Sequence, residues 1–259
     1  MFSGIPSETP LDLRFWLFGV HVRVHPLHWV FSAILGWDLV AGRGGNLGYL
    51  ALWVLCVFLS VLLHELGHVL VGRVFGSDGH IILYSFGGVA IGSSDLRKRW
   101  QRVAVYFAGP LAQFVLLGLV FASEKLLLPH APDDWSIPLI KLHRILFVIN
   151  LYWPVLNLLP IWPLDGGRIS RELLEAPFGQ KGVIASLWLS ILLSGFLAVQ
   201  VLLNAYGSGG ELIPHVSYLI GSSMWTALFF AMFCFSSIQA LQVEFGRSNR
   251  RDDELPWER

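Results

Sequence analysis

Long, mostly apolar runs constrain this chain more than any other feature of it. The hydrocarbon core of a bilayer takes about 20 mostly apolar residues per helix. Six stretches meet or approach that requirement: 26–42, 47–74, 103–123, 145–164, and one each inside 182–210 and 212–243. Asp38 interrupts the first near its far end, and Pro154, Pro160 and Pro163 break the fourth. Asn204, the Gly/Ser-rich residues 207–210 and Glu211 separate the fifth from the sixth. Composition agrees: 54% of the 259 residues are hydrophobic and 14% are charged, where a soluble domain carries roughly a quarter charged. A core large enough to hide so much apolar side chain does not exist at this length. The surplus must face lipid.

The segment 79–93 is too short to span. Its β-branched and aromatic residues are split by Gly87-Gly88, which reads as a strand, a glycine turn and a second strand. The expected fold is therefore an all-α polytopic membrane protein of six transmembrane helices, with a short β-hairpin between helices 2 and 3. Residues 1–25 are expected to form a cytoplasmic N-terminal segment, 26–241 a membrane-embedded core and 242–259 a cytoplasmic polar tail. The first fourteen residues show no basic start, apolar run or small-residue cleavage site, so the first hydrophobic segment is expected to be retained. Cys56 and Cys234 lie inside apolar runs and read as small core or lipid-facing residues.

The basic residues give an independent test. With the N-terminus, the second–third and fourth–fifth connections and the C-terminus on one side, fourteen of the eighteen Lys and Arg residues fall there. The four on the other side are Arg43, Lys125, Lys141 and Arg144. Under the positive-inside rule both termini are cytoplasmic. Acidic and basic residues balance at eighteen each, so no electrostatic case for a nucleic-acid partner exists.

Within the second run, His64-Glu65-Leu66-Gly67-His68 matches H-E-x-x-H. On an α-helix, residues i and i+4 are displaced by about 40° and one turn, so both imidazoles reach one metal ion. Glu65 stands about 100° round from His64, poorly placed to ligate but able to reach a metal-bound water. Two histidines and a glutamate are expensive in a spanning segment unless they face a partner or a water-filled cavity. A catalytic zinc site uses three protein ligands and keeps one position open. Asp165 is the third candidate, at the end of the proline-broken fourth helix in Asn157-Leu-Leu-Pro160-Ile-Trp-Pro163-Leu-Asp165-Gly-Gly. Unwound backbone at depth is tolerated where it lines a protein cavity, which suits a metal site open to cytoplasmic water.

H-E-L-G-H in one membrane helix followed by N-L-L-P-I-W-P-L-D-G-G in another resembles the site-2 protease family of intramembrane metalloproteases. Gly19–Trp29 (GVHVRVHPLHW) looks like the segment before that family's first helix, in the branch near the sporulation-factor-processing proteases. Phe86-Gly87-Gly88 and Ala108-Gly109-Pro110 also resemble family landmarks. The resemblance implies His64, His68 and Asp165 as ligands of one Zn2+ ion and Glu65 as general base and acid. It places Asn157 near the cleft, holding the substrate backbone or the oxyanion; an interhelical hydrogen bond explains Asn157 equally well. Gly87 and Gly88 lie in the hairpin whose edge would receive the substrate as an added strand. The implied substrates are membrane-tethered regulators such as anti-sigma or pro-sigma factors. The 124–142 connection is too short for a PDZ domain, and the residues after 242 are too few for a CBS pair.

Two other readings use the same residues: a membrane metal transporter or sensor, and a catalytically silent relative that binds membrane proteins. A transporter needs polar residues continuing across several helices, and the outer half of the second run is apolar from Leu50 to Phe58. His21, His25 and His28 read as interfacial or core residues. His80, His130, His143 and His215 lie in or near connections without ligand spacing.

Overall fold

A computed structural model of the protein describes residues 7–37, 46–85, 87–92, 94–130, 132–205 and 224–253. The chain divides into two compact units, Met1–Val155 and Leu156–Arg259.

The first unit opens with a strand pair. Val20, Val22 and Val24 alternate with His21 and Arg23, the period of a strand with one buried face. They form β2 (Val20–Val24), with all three valines fully enclosed. β2 pairs antiparallel with β1 (Leu13–Leu17) through Phe18 and Gly19. Those two residues have φ of 49° and 71°, the left-handed pair whose twist matches a two-residue hairpin. Helix α1 (Pro26–Leu35) follows, started by Pro26 and capped by His25 Nδ1, which accepts from the Leu27 amide at 3.2 Å. Asn46 caps α2 (Leu47–Val74) by accepting from Gly48 N at 2.7 Å.

After α2 the chain returns to the sheet. β3 (His80–Tyr84) lies parallel to β2 and antiparallel to β4 (Gly87–Ile91), in the order β1-β2-β3-β4. A parallel pair needs a crossover, which α1 and α2 supply. Ile81 and Leu83 join the three valines against Val57, Val61, Leu62, Leu66 and Val69 of α2. The sheet thus packs on the helix that carries His64, Glu65 and His68. Arg73 fastens the arrangement, donating to Phe18 O at 3.1 Å and Gly19 O at 2.7 Å. Helices α3 (Arg99–Leu127) and α4 (Asp133–Asn157) follow, joined by the short 3-10 turn Leu128–His130.

The second unit contains the linker 158–164, α5 (Asp165–Phe178), α6 (Gln180–Ala205) and α7 (Met224–Asp253). Ile161 is fully enclosed with Leu197, Phe230 and Phe233, while Trp162 packs on Val183, Leu187 and Leu241.

Five described helices are long and apolar enough to cross a membrane: Leu47–Val74, Arg99–His130, Asp134–Asn157, Gln180–Asn204 and Thr226–Gly246. Leu55, Leu119 and Leu192 are 50%, 61% and 66% exposed on them, which water would penalise and lipid would not.

The structure corrects the sequence expectation in three places. The fold is not all-α with a lone hairpin; it includes a four-stranded mixed sheet, because β1 and β2 occupy part of the expected N-terminal segment. Within the expected first span, 26–42, the described helix is α1, ten residues long or about 15 Å. Residues 38–45, into which the expected first span runs, lie outside the described residues, as do Phe86, residues 206–223 and 254–259. Most of the connection 124–142 is helical, since hydropathy marks where lipid begins and not where backbone hydrogen bonding begins. Finally, α4 stops at Asn157, ahead of Pro160, and Asp165 opens α5 instead of ending the fourth helix. Pro160 and Pro163 disfavour helix in the residues before them, and an acid suits the positive end of a new helix.

Outside the spans, the Asp12 side chain is enclosed and faces Arg23 Nη1 at 3.5 Å. Burial alone would raise its carboxyl pKa; bonds from the Thr9 hydroxyl and amide, with the charges of Arg23 and His25, bring it below the ordinary 3.8. A carboxylate lowered in the folded state contributes stability above its unfolded pKa and loses it as pH falls through the folded value. Asp12→Ala is therefore expected to cost about 1–3 kcal/mol at pH 7 and much less in strong acid. Thermal unfolding in detergent at both pH values measures it, and equal losses would contradict the account.

Candidate metal centre

One helical turn of α2 carries the centre's first two donors. His64 and His68 are both buried, with ring centroids 4.7 Å apart and their Nε2 atoms 3.1 Å apart. What the other ring nitrogens contact fixes the tautomers. His68 Nδ1 lies 2.6 Å from the Val105 carbonyl oxygen, an acceptor, so Nδ1 carries the proton. His64 is oriented through a chain of amides. Asn150 Nδ2 donates to Leu146 O at 2.9 Å and to Ser60 Oγ at 3.0 Å. That turns Asn150 Oδ1 toward Gln113 Nε2, at 3.5 Å, and leaves Gln113 Oε1 to accept from His64 Nδ1 at 2.9 Å. Ser60, Gln113 and Asn150 are themselves fully enclosed.

With Nδ1 donating in both rings, the two Nε2 atoms are left to face the same point. Two acceptors facing each other at 3.1 Å repel unless a cation lies between them. Tetrahedral zinc with Zn–N near 2.0–2.1 Å holds two nitrogens about 3.3 Å apart, so the pair fits such an ion. Close backbone approach from α3 completes the fit. A Cβ on Gly109 would collide with His68 Nε2 and come within 2.9 Å of His64 Nε2.

Glu65 is buried on the same helix, against β4. A Cβ at Gly88 would stand 2.8 Å from Glu65 Oε1; glycine is what lets this strand run against the carboxylate. Gly87 makes no comparable demand, since a Cβ there would meet the Trp153 ring at an ordinary 3.7 Å. Among the described residues β4 has one strand neighbour, β3.

Asp165 and Asn157 belong to the second unit. Asn157 is the last residue of α4 and Asp165 the first of α5. Gly166 and Gly167 press so closely on the backbone of Leu158, Leu159 and Ile161 that any side chain at either would collide with it.

The polar residues that orient the histidines escaped the sequence reading, although a signal was present: Gln113 and Asn150 are amides inside uncharged spans, where polar groups are costly. Three of the other histidines are engaged elsewhere. His143 bonds Ser123 Oγ and Leu139 O, His130 bonds Leu126 O, and His28 packs on Trp29 and Phe58. His215 lies outside the described residues.

The model of peptidase family M50 matches residues 52–129 and 126–199, more than half of the chain. A zinc metalloprotease of Methanocaldococcus jannaschii is 31% identical over 198 residues, covering 73% of this chain and 55% of its own length. Stage IV sporulation protein FB of Bacillus subtilis is 34% identical over 152 residues, 57% of this chain and 46% of its own. The chain thus spans about half the length of the curated relatives it matches. Among solved structures, the site-2 protease from Methanocaldococcus jannaschii aligns with a TM-score of 0.57 and 23% identity, over 89% of this chain and 95% of that one. That likeness is one of fold.

Gln113→Leu removes the acceptor that fixes His64 and leaves both histidines in place. Loss of such a partner typically weakens metal binding about 10–100-fold. Competitive zinc titration against a chromophoric chelator measures the change, and an unaltered affinity would contradict the orienting role.

Proposed function

The chain belongs to peptidase family M50, and from that premise we propose that it is an intramembrane zinc metalloprotease hydrolysing peptide bonds in or near transmembrane segments of membrane-tethered regulatory proteins. The observation that carries this reading is the His64/His68 pair, two Nε2 lone pairs converging inside a spanning helix, with Glu65 adjacent.

His64 and His68 would hold one Zn2+ ion, with Asp165 as the third ligand; two imidazoles and a carboxylate form a catalytic-type donor set that leaves a position open. Bound there, zinc supplies Lewis acidity, polarising a scissile carbonyl and making water acidic near neutral pH. Glu65 takes the proton from the attacking water and passes it to the leaving amine. Its burial keeps bulk water from competing for that proton.

A substrate helix shields its own peptide bonds, so the cleaved segment must be extended. β4 offers an edge for strand addition, and the missing side chain at Gly88 brings that edge against Glu65. Asn157 is assigned to the substrate backbone. Anti-sigma and pro-sigma factors are substrates of the right chemical class, being single membrane-anchored segments with a soluble cargo.

Glu65→Gln keeps the side chain's size and removes its basicity. Cleavage of a co-expressed membrane-tethered substrate is expected to fall by about 10²–10⁴-fold, with zinc content unchanged; full cleavage would contradict the assignment.

The apolar run 26–42 is proposed as a sixth crossing, placing both termini in the cytoplasm, supported by the fourteen-to-four split of basic residues. Cysteines introduced singly near each end and probed with a membrane-impermeant maleimide on intact cells should both stay unlabelled. Labelling of one end alone indicates an odd number of crossings.

A further inference from the structure

The linker 158–164 leaves helical geometry between two apolar helices of the second unit, where unsatisfied backbone polar groups are costly. Trp162 solves this with two hydroxyls. Its N–H donates to Ser190 Oγ of α6 at 2.7 Å. Ser190 Oγ lies 2.6 Å from Ser237 Oγ of α7, and Ser237 Oγ lies 3.2 Å from the Trp162 carbonyl oxygen. With one proton per hydroxyl, the order that satisfies each atom is Trp162 N–H to Ser190, Ser190 O–H to Ser237, and Ser237 O–H to Trp162 O. The last proton is shared with Phe233 O at 2.8 Å. The ring is dry: Ser190 is 1% exposed and Ser237 is not exposed at all.

We propose that Ser190 and Ser237 are positioning residues that clamp both backbone polar atoms of Trp162 and thereby set where Asp165 presents its carboxylate. Asp165 follows three residues later, with little slack between. Ile161 and Leu164 are tied by a backbone bond of 2.8 Å, and Arg168 N bonds Leu164 O at 3.0 Å. Gly166 and Gly167 lock the start of α5 onto the backbone of Leu158, Leu159 and Ile161. Displacement of Trp162 is thus transmitted to Asp165. Neither serine touches a reacting group, and the proposal rests on the reading of Asp165 as a metal ligand.

The test uses the full chain in detergent micelles and the double variant S190A/S237A, with Co2+ as the metal probe. In metal-free protein, amide exchange across 158–165 is expected to accelerate at least about tenfold while α6 and α7 keep their protection. Co2+ affinity is expected to fall about 10–100-fold, with a changed ligand-field spectrum. S190T, which retains the hydroxyl, should restore both values. S194A should change neither, because the Ser194 hydroxyl bonds Ser190 O and Ile191 O on its own helix. Unchanged exchange at 158–165, S190T behaving as the hydroxyl-free variant, or equal loss of protection throughout α6 and α7 each overturns the clamp. D165A separates the two levels. If it binds Co2+ like the wild type, the ligand assignment fails and the positioning role with it, even where exchange shows the clamp itself to be real.

Discussion

Within a lipid-facing helix there is no water to satisfy a polar side chain or an unwound stretch of backbone, so each such group must find its partner inside the protein. That requirement organises both units. In the first it produces the chain from Leu146 O through Asn150 and Gln113 to His64, with Val105 O serving His68. In the second it produces the serine ring around Trp162. The same bonds that remove a solvation penalty also fix ring tautomers and linker position. Stability and preorganisation are therefore one set of contacts here, and a metal centre gains most from such support.

The sheet answers a different constraint. α2 must bury a face against something other than lipid where its charged and imidazole groups lie. β2 and β3 supply Val20, Val22, Val24, Ile81 and Leu83 for that face. β4 then runs over Glu65 with glycine at the point of contact. A strand with glycine there lets backbone approach the carboxylate with no side chain between them.

Much of this was legible in the sequence where one dominant signal existed. Long apolar runs marked the five long helices, and H-E-x-x-H set two imidazoles on one turn. The alternation in Val20–Val24 carried a strand signal too, yet the nearby apolar run drew the reading toward a pre-helical segment. The end of α4 depended on where Pro160 and Pro163 stop helical bonding, which hydropathy does not register. Gln113, Asn150, Ser190 and Ser237 were visible as polar residues within spans, but their partners on other elements lie 28 or more residues away in sequence. No local pattern pairs residues over that distance. Composition showed that such residues would need partners, and the fold was required to name them.

X-ray absorption at the zinc edge of the purified chain tests the central claim most directly. The account predicts one ion per chain, with two imidazole nitrogens at about 2.0–2.1 Å, the rest of the shell oxygen and no sulfur. A shell without two imidazoles, one containing thiolate, or a chain that retains no zinc would contradict it.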